Sequence, residues 1–81
     1  MTNITMIPVT GSSQIQKVGY DELDEYLYVT FSRGGNTYRY RGVPENVYND
    51  FMSSTSRGTY FHNNIKTQYH AEKIDMVGEG K

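Results

Sequence analysis

From Ile15 to Arg41 the side chains alternate with a period of two, and this constrains the fold more than any other feature of the chain. Tyr26-Leu27-Tyr28-Val29-Thr30-Phe31 is almost wholly aromatic or β-branched, the chemistry that suits a pleated surface. Gly34-Gly35 follows, and a Gly-Gly pair signals a hairpin because both central residues of a type I′ turn need positive φ. A turn there predicts Phe31 opposite Tyr38, Thr30 opposite Arg39, Val29 opposite Tyr40 and Tyr28 opposite Arg41. Upstream, an acidic loop at Glu22-Leu23-Asp24-Glu25 predicts Tyr20 opposite Leu27, Gly19 opposite Tyr28 and Val18 opposite Val29. The two registers sort the residues in the same way, and a slip by one residue would invert a whole face.

One predicted face carries Val18, Tyr20, Leu27, Val29, Phe31, Tyr38 and Tyr40, and this is the core face. The other carries Lys17, Gly19, Tyr26, Tyr28, Thr30, Arg39 and Arg41. Ahead of them, Ile7 and Val9 flank Pro8, which confines any strand there to a sheet edge. After Val43 the period changes. Pro44 suits the first helical position and Glu45 the N-terminal dipole, and Val47, Tyr48, Phe51 and Met52 form one apolar stripe. Ser56 is placed to cap a second helix in which Phe61, Ile65 and Tyr69 stack at four-residue intervals. Ile74, Met76 and Val77 offer a final strand within a polar tail. The expected fold is α+β: an antiparallel meander of three to four strands, then two helices packed on one face.

Eighty-one residues make a single domain, 1–81, with an ordered core expected over about 9–73. Eight Lys and Arg against nine Asp and Glu leave a formal charge of -1, so the chain cannot coat phosphate by net charge as a strongly basic domain does. Eight Tyr and three Phe argue against disorder. The absence of Cys removes disulfides, thiolate zinc sites and cysteine nucleophiles. No apolar run approaches the roughly 18 residues of a membrane span, and no signal-peptide pattern opens the chain, so a cytoplasmic protein is expected. Two His eight residues apart do not make a close metal pair, and no Gly-rich loop matches a phosphate-binding fingerprint. No metal, cofactor or catalytic residue is therefore expected.

Several patches together resemble the KTSC domain family, which takes its name from the C-terminus of some lysyl-tRNA synthetases. They are Ser12-Ser13-x-Ile15, Gly19-Tyr20-Asp21, Tyr38-Arg39-Tyr40, Val43-Pro44-x-x-Val47-Tyr48-x-x-Phe51, and Ser56-x-Gly58-x-Tyr60-Phe61 leading to Ile65 and Tyr69. The resemblance runs from about Val9 to Lys73. It implies a small free-standing protein of bacteria or their phages, and it carries a suggestion of RNA binding. His62 departs from the pattern, where Asn is expected after the Tyr-Phe pair.

Two constellations are candidates for binding. On the second sheet face, Tyr26 and Tyr28 beside Arg39, Arg41 and Lys17 would set aromatic planes next to cations, with Gly19 leaving room over a solvent-facing Tyr28. Such a surface suits unstacked bases. The plainer reading is that Tyr and Arg alternate because they fit a sheet and stack on one another. The other candidate is an anion site at the start of the second helix, from Arg57 and Gly58, continued by a stripe of His62, Lys66, His70 and Lys73 along it. Its plainer reading is a solvated helix face. The expected function is a non-enzymatic binding module for single-stranded nucleic acid, RNA or a nucleotide. The alternative class is a small protein–protein inhibitor or adaptor, phage-encoded and acting on a host defence system, including a sponge for a signalling nucleotide. Self-association, most simply a homodimer, is expected from the exposed sheet edges. The acidic loop is expected to fold Leu23 back onto the core.

Overall fold

The computed structural model describes residues 6–9 and 12–74. Five strands form one antiparallel sheet in sequence order: β1 (Ile7–Pro8), β2 (Ile15–Asp21), β3 (Tyr26–Phe31), β4 (Thr37–Tyr40) and β5 (Ala71–Ile74). Helices α1 (Glu45–Ser53) and α2 (Arg57–Asn64) lie between β4 and β5 in the chain and pack on one face of the sheet. The meander-plus-two-helices fold is the one the alternation predicts, with five strands in place of three to four. The last strand begins earlier than expected, at Ala71; Met76 and Val77 lie outside the described residues.

Between β2 and β3 the predicted register is observed, with Val18 opposite Val29, Gly19 opposite Tyr28 and Tyr20 opposite Leu27. A bulge between Ile15 and Lys17 then interrupts it, so that Ile15 lies opposite Phe31 while Lys17 lies opposite Thr30. The extra residue is Gln16, whose carbonyl accepts the Val9 N–H at 2.9 Å. Uninterrupted alternation would leave Ile15 on the side of Lys17 and Gly19; the bulge turns it inward, where it is fully buried.

Between β3 and β4 the register differs from the prediction by two residues: Leu27 faces Tyr40, Tyr28 faces Arg39, Val29 faces Tyr38 and Thr30 faces Thr37. The connection is a longer loop over 32–36, closed by Phe31 N–H donating to the Asn36 carbonyl at 2.9 Å, with Gly34 and Gly35 at φ 82° and 67° inside it. This register brings the buried Thr30 and Thr37 hydroxyls to 2.6 Å, satisfying both. Because the shift is even, every side chain keeps its predicted face.

The core joins Ile15, Val18, Leu27, Val29 and Tyr40 of the sheet to Val43, Phe51, Phe61 and Ile65. Phe61 is its aromatic centre, with ring centroids 5.5 Å from Phe31, 5.2 Å from Tyr40 and 6.2 Å from Phe51. Pro44 caps α1, its carbonyl accepting the Val47 and Tyr48 N–H groups. The start of α1 is tied to β2 by the Tyr20 hydroxyl donating to the Val43 carbonyl at 2.6 Å, and by Tyr20 stacking on Tyr48 at 4.6 Å. At the end of α2, the Phe61 carbonyl accepts both Ile65 and Lys66 N–H groups, a tight reversal that stops the helix at Asn64. The expected stripe of His62, Lys66, His70 and Lys73 along one helix is therefore corrected: Lys66 lies in the turn, His70 before β5, and Lys73 in β5 opposite Tyr38.

Leu23 does not fold back onto the core. It is 90% exposed, held out at the tip of a turn in which the Asp21 carboxylate accepts the Leu23 and Asp24 N–H groups at 3.1 and 3.4 Å. Glu25 closes that turn at φ 58°.

Burial pushes the Tyr40 phenol up to about 12 from an ordinary value of 10.0, and raises Tyr20, Tyr48 and Tyr60 in the same direction. A phenol that is harder to ionise in the folded state stabilises the fold fully below pH about 10, and that contribution fades as pH rises through about 12. Alkaline unfolding is expected in that window, followed by circular dichroism alongside phenolate absorbance. Complete ionisation of all phenols near pH 10 with the fold intact would contradict it.

Candidate ligand-binding cleft

The face opposite the helices does not present the open stacking surface that its residue types predict. Tyr28 is 7% exposed, not solvent-facing, and Thr30 and Thr37 beside it are also buried. Tyr26 meets Tyr28 edge-on at 6.4 Å, and the Arg39 guanidinium lies 4.6 Å from the centre of the Tyr26 ring. Arg39 also donates through Nε and Nη2 to the Glu72 carboxylate on β5, the residue directly opposite in the register. That hydrogen bond raises the Arg39 pKa and lowers that of Glu72. The fifth strand is the reason: it supplies a carboxylate from a segment that the sequence pattern ran on from the second helix, as the stripe through Lys73 implied. Lys17 remains half-buried on this face, and Arg41 is exposed just past the end of β4, its N–H donating to the His70 carbonyl at 3.0 Å. Of the five predicted contacts, Tyr26, Tyr28 and Arg39 are engaged with one another and with Glu72.

The second constellation divides. Arg57 donates to the Met52 carbonyl at 2.9 Å and so helps close the end of α1. Gly58 is covered by the 12–14 segment, since a Cβ there would lie 3.4 Å from Ser12 Oγ and 3.6 Å from Gln14 Oε1. Arg57 is thereby tied to α1 and Gly58 is covered, while the Arg57 Nε is buried without a hydrogen-bond partner among the described residues. His62 and Lys66 are different: both are exposed and both line a cleft on the helix side of the sheet.

That cleft is open to solvent and spans about 980 Å³, against the roughly 300–1,000 Å³ typical of ligand sites. Its floor is aromatic: Phe31, Tyr38 and Tyr40 from the sheet, Phe61 from α2 and Tyr69 from the segment leading into β5. Phe31 and Tyr38 meet edge-to-face at 5.6 Å, which fixes their orientation. Ser13, Gln14 and Asn36 bring hydrogen-bonding groups. Arg33, Lys66, both histidines of the chain and Ala71 complete the lining, and among the described residues no Asp or Glu is part of it. In a chain with more acids than bases, this is a local segregation of charge, with the acidic residues 21–25 in the β2–β3 turn.

Alternation alone assigned Tyr38 and Tyr40 to the core, and so missed that the half-buried Tyr38 borders a cavity. Arg33, which directly precedes the Gly34-Gly35 pair, is a further lining residue that the alternation does not point to. Its signal was a cation beside a loop longer than a Gly-Gly turn, and the loop length could not be read before the register was known. No helix among the described residues is long and apolar enough to cross a membrane.

The sequence profile of the KTSC domain family matches residues 11–69. A protein of Tsukamurella paurometabola is 35% identical over 60 residues, covering 74% of this chain and 88% of that protein. An uncharacterized protein of Stutzerimonas stutzeri is 36% identical over 59 residues, covering 73% and 82%. The crystal structure of a KTSC domain protein from Yersinia pestis superimposes with a TM-score of 0.84 at 38% identity, covering 90% of this chain and 100% of that one. The motif from Ser12 to Tyr69 thus builds both the aromatic core and most of the cleft lining, and the chain belongs to the KTSC domain family.

Proposed function

We propose that this domain is a binding module, without catalytic turnover, for single-stranded nucleic acid or a nucleotide, and that the ligand sits in the cleft between β4 and α2. The observation that carries this reading is the pairing of an aromatic floor with a lining that, among the described residues, has cations and no carboxylate. Aromatic rings accept the faces of unstacked bases, a contact worth about 1–3 kcal/mol per base and tolerant of sequence. Lys and Arg at the rim meet phosphate, and Gln14 and Asn36 offer both donors and acceptors to a base edge. Net charge close to zero suits a ligand held by shape and stacking with few phosphate contacts, rather than by a long basic track.

Calorimetry or fluorescence anisotropy with short single-stranded RNA and with free nucleotides tests this. Tyr38→Ala should weaken binding roughly tenfold or more while the protein stays folded, since Tyr38 is only half-buried. Tyr28→Ala is the contrast: it should lower the melting temperature, because its ring is buried on the far face. If Tyr28→Ala abolishes binding in a folded protein and Tyr38→Ala does not, the ligand lies on the other side of the sheet. Failure of every nucleotide and oligonucleotide to bind would leave a protein partner as the function to pursue.

A further inference from the structure

The cations of the cleft sit at its two ends. Arg33 belongs to the 32–36 loop, beyond the Thr37 end of β4. The Ser32 N–H donates to the Gln14 carbonyl, and Gln14 also lies against Gly58 in the first turn of α2. Arg33 is therefore at the end of the cleft where α2 begins. Lys66 follows the last turn of α2, in the segment that leads to β5, whose first residue Ala71 pairs with Tyr40 at the far end of β4. The four residues of β4 rise about 13 Å at 3.3 Å each, and the eight of α2 about 12 Å at 1.5 Å each. The two elements bordering the cleft are thus of similar length. His62, in the last turn of α2, also lines the cleft, and Tyr38 projects to this face from the middle of β4.

We infer that the cleft takes a ligand with two separated phosphates flanking an aromatic base, so that Arg33 meets one phosphate and Lys66 the other while the base rests on Tyr38. This deepens the proposed function and rests on it. Arg33 and Lys66 enter the cleft from opposite ends of α2, so a ligand with a phosphate toward each end engages both side chains without either crossing the cleft, whereas a mononucleotide placed on Tyr38 offers its single phosphate to one end. Two sources share the required chemistry. One is a segment of single strand, where each internal base lies between two phosphodiesters; the other is a small cyclic oligonucleotide.

The test titrates the full chain with adenosine 5′-monophosphate, a 5′-phosphorylated linear adenosine dinucleotide, cyclic di-adenosine monophosphate and an oligoadenylate. Probes with two phosphates should bind at least tenfold tighter than the monophosphate at equal ionic strength. Their affinity should fall with salt at a logarithmic slope near −1.4, the value for about two phosphate contacts with a single strand. Arg33→Ala and Lys66→Ala are both exposed substitutions, and melting curves should match the parent. Each should weaken the two-phosphate probes roughly tenfold, whereas the monophosphate should respond to only one of them. Tighter binding of the linear probes identifies a strand, and tighter binding of the cyclic one identifies a ring; either supports the inference. Equal affinity for the monophosphate, or loss of its binding on both substitutions, overturns the two-ended ligand and leaves the nucleotide cleft standing. Binding of no probe removes the proposed function itself.

Discussion

Phe61→Ala should leave the domain largely unfolded at room temperature. Phe61 is 2% exposed and its ring meets those of Phe31, Tyr40 and Phe51, so one residue of α2 joins β3, β4 and α1. Truncating a buried Phe costs about 3–5 kcal/mol, the lost burial plus the cavity left behind. A single core in a chain this short rarely supplies more than about 3–5 kcal/mol in total, and there is no Cys to staple it. Collapse into the vacated volume is hindered on the sheet side, where the Phe31 ring is held edge-on by Tyr38. Urea denaturation of Phe61→Ala beside Tyr38→Ala makes the comparison. The first should show little or no folded baseline, and the second a full transition. A cooperative Phe61→Ala transition at the parent midpoint would mean that α2 does not close the core.

The alternation from Val18 to Tyr40 made the two sheet faces legible because burial on one side enforces a period of two wherever the ladder is regular. It survived even the two-residue error at β3–β4, since an even shift moves partners and spares faces. The failures share a physical origin in contacts that are distant in sequence. Glu72 was unrecognisable as the partner of Arg39 across 33 positions, and without β5 the Tyr26–Tyr28–Arg39 face looked open. The end of α2 was overrun because Ile65 and Tyr69 keep helical spacing while the chain itself reverses at Phe61, Ile65 and Lys66. His62 and Lys66 were nevertheless singled out by their chemistry, and they do meet in one cleft, brought there by the turn and not by a helix face. Arg57 and Gly58 read as an anion site because a helix start presents free N–H groups; the 12–14 segment and the end of α1 use that corner instead.

The bulge at Gln16 gives the sharpest contrast between neighbouring residues. Ile15→Asp should unfold the protein, and Gln16→Asp should change its stability by no more than about 0.5 kcal/mol. Ile15 is completely buried and belongs to the apolar core cluster, opposite Phe31 in the register. An aspartate there must either stay charged in an apolar core or take up a proton, and both routes cost several kcal/mol beyond the lost burial of the isoleucine. Gln16 is exposed, and its contribution to the sheet is made by its backbone carbonyl, which any residue retains. Uninterrupted alternation gives the opposite ordering, because it places position 16 with Val18 and position 15 with Lys17. Denaturant melts of the two variants therefore decide between the two backbones without a ligand assay. A stable Ile15→Asp beside an unfolded Gln16→Asp would show that β2 runs without the bulge. Deleting Gln16 is the complementary change: Ile15 would still fall opposite Phe31 in a regular ladder, so this deletion within a strand should leave the core face intact and a cooperative melt.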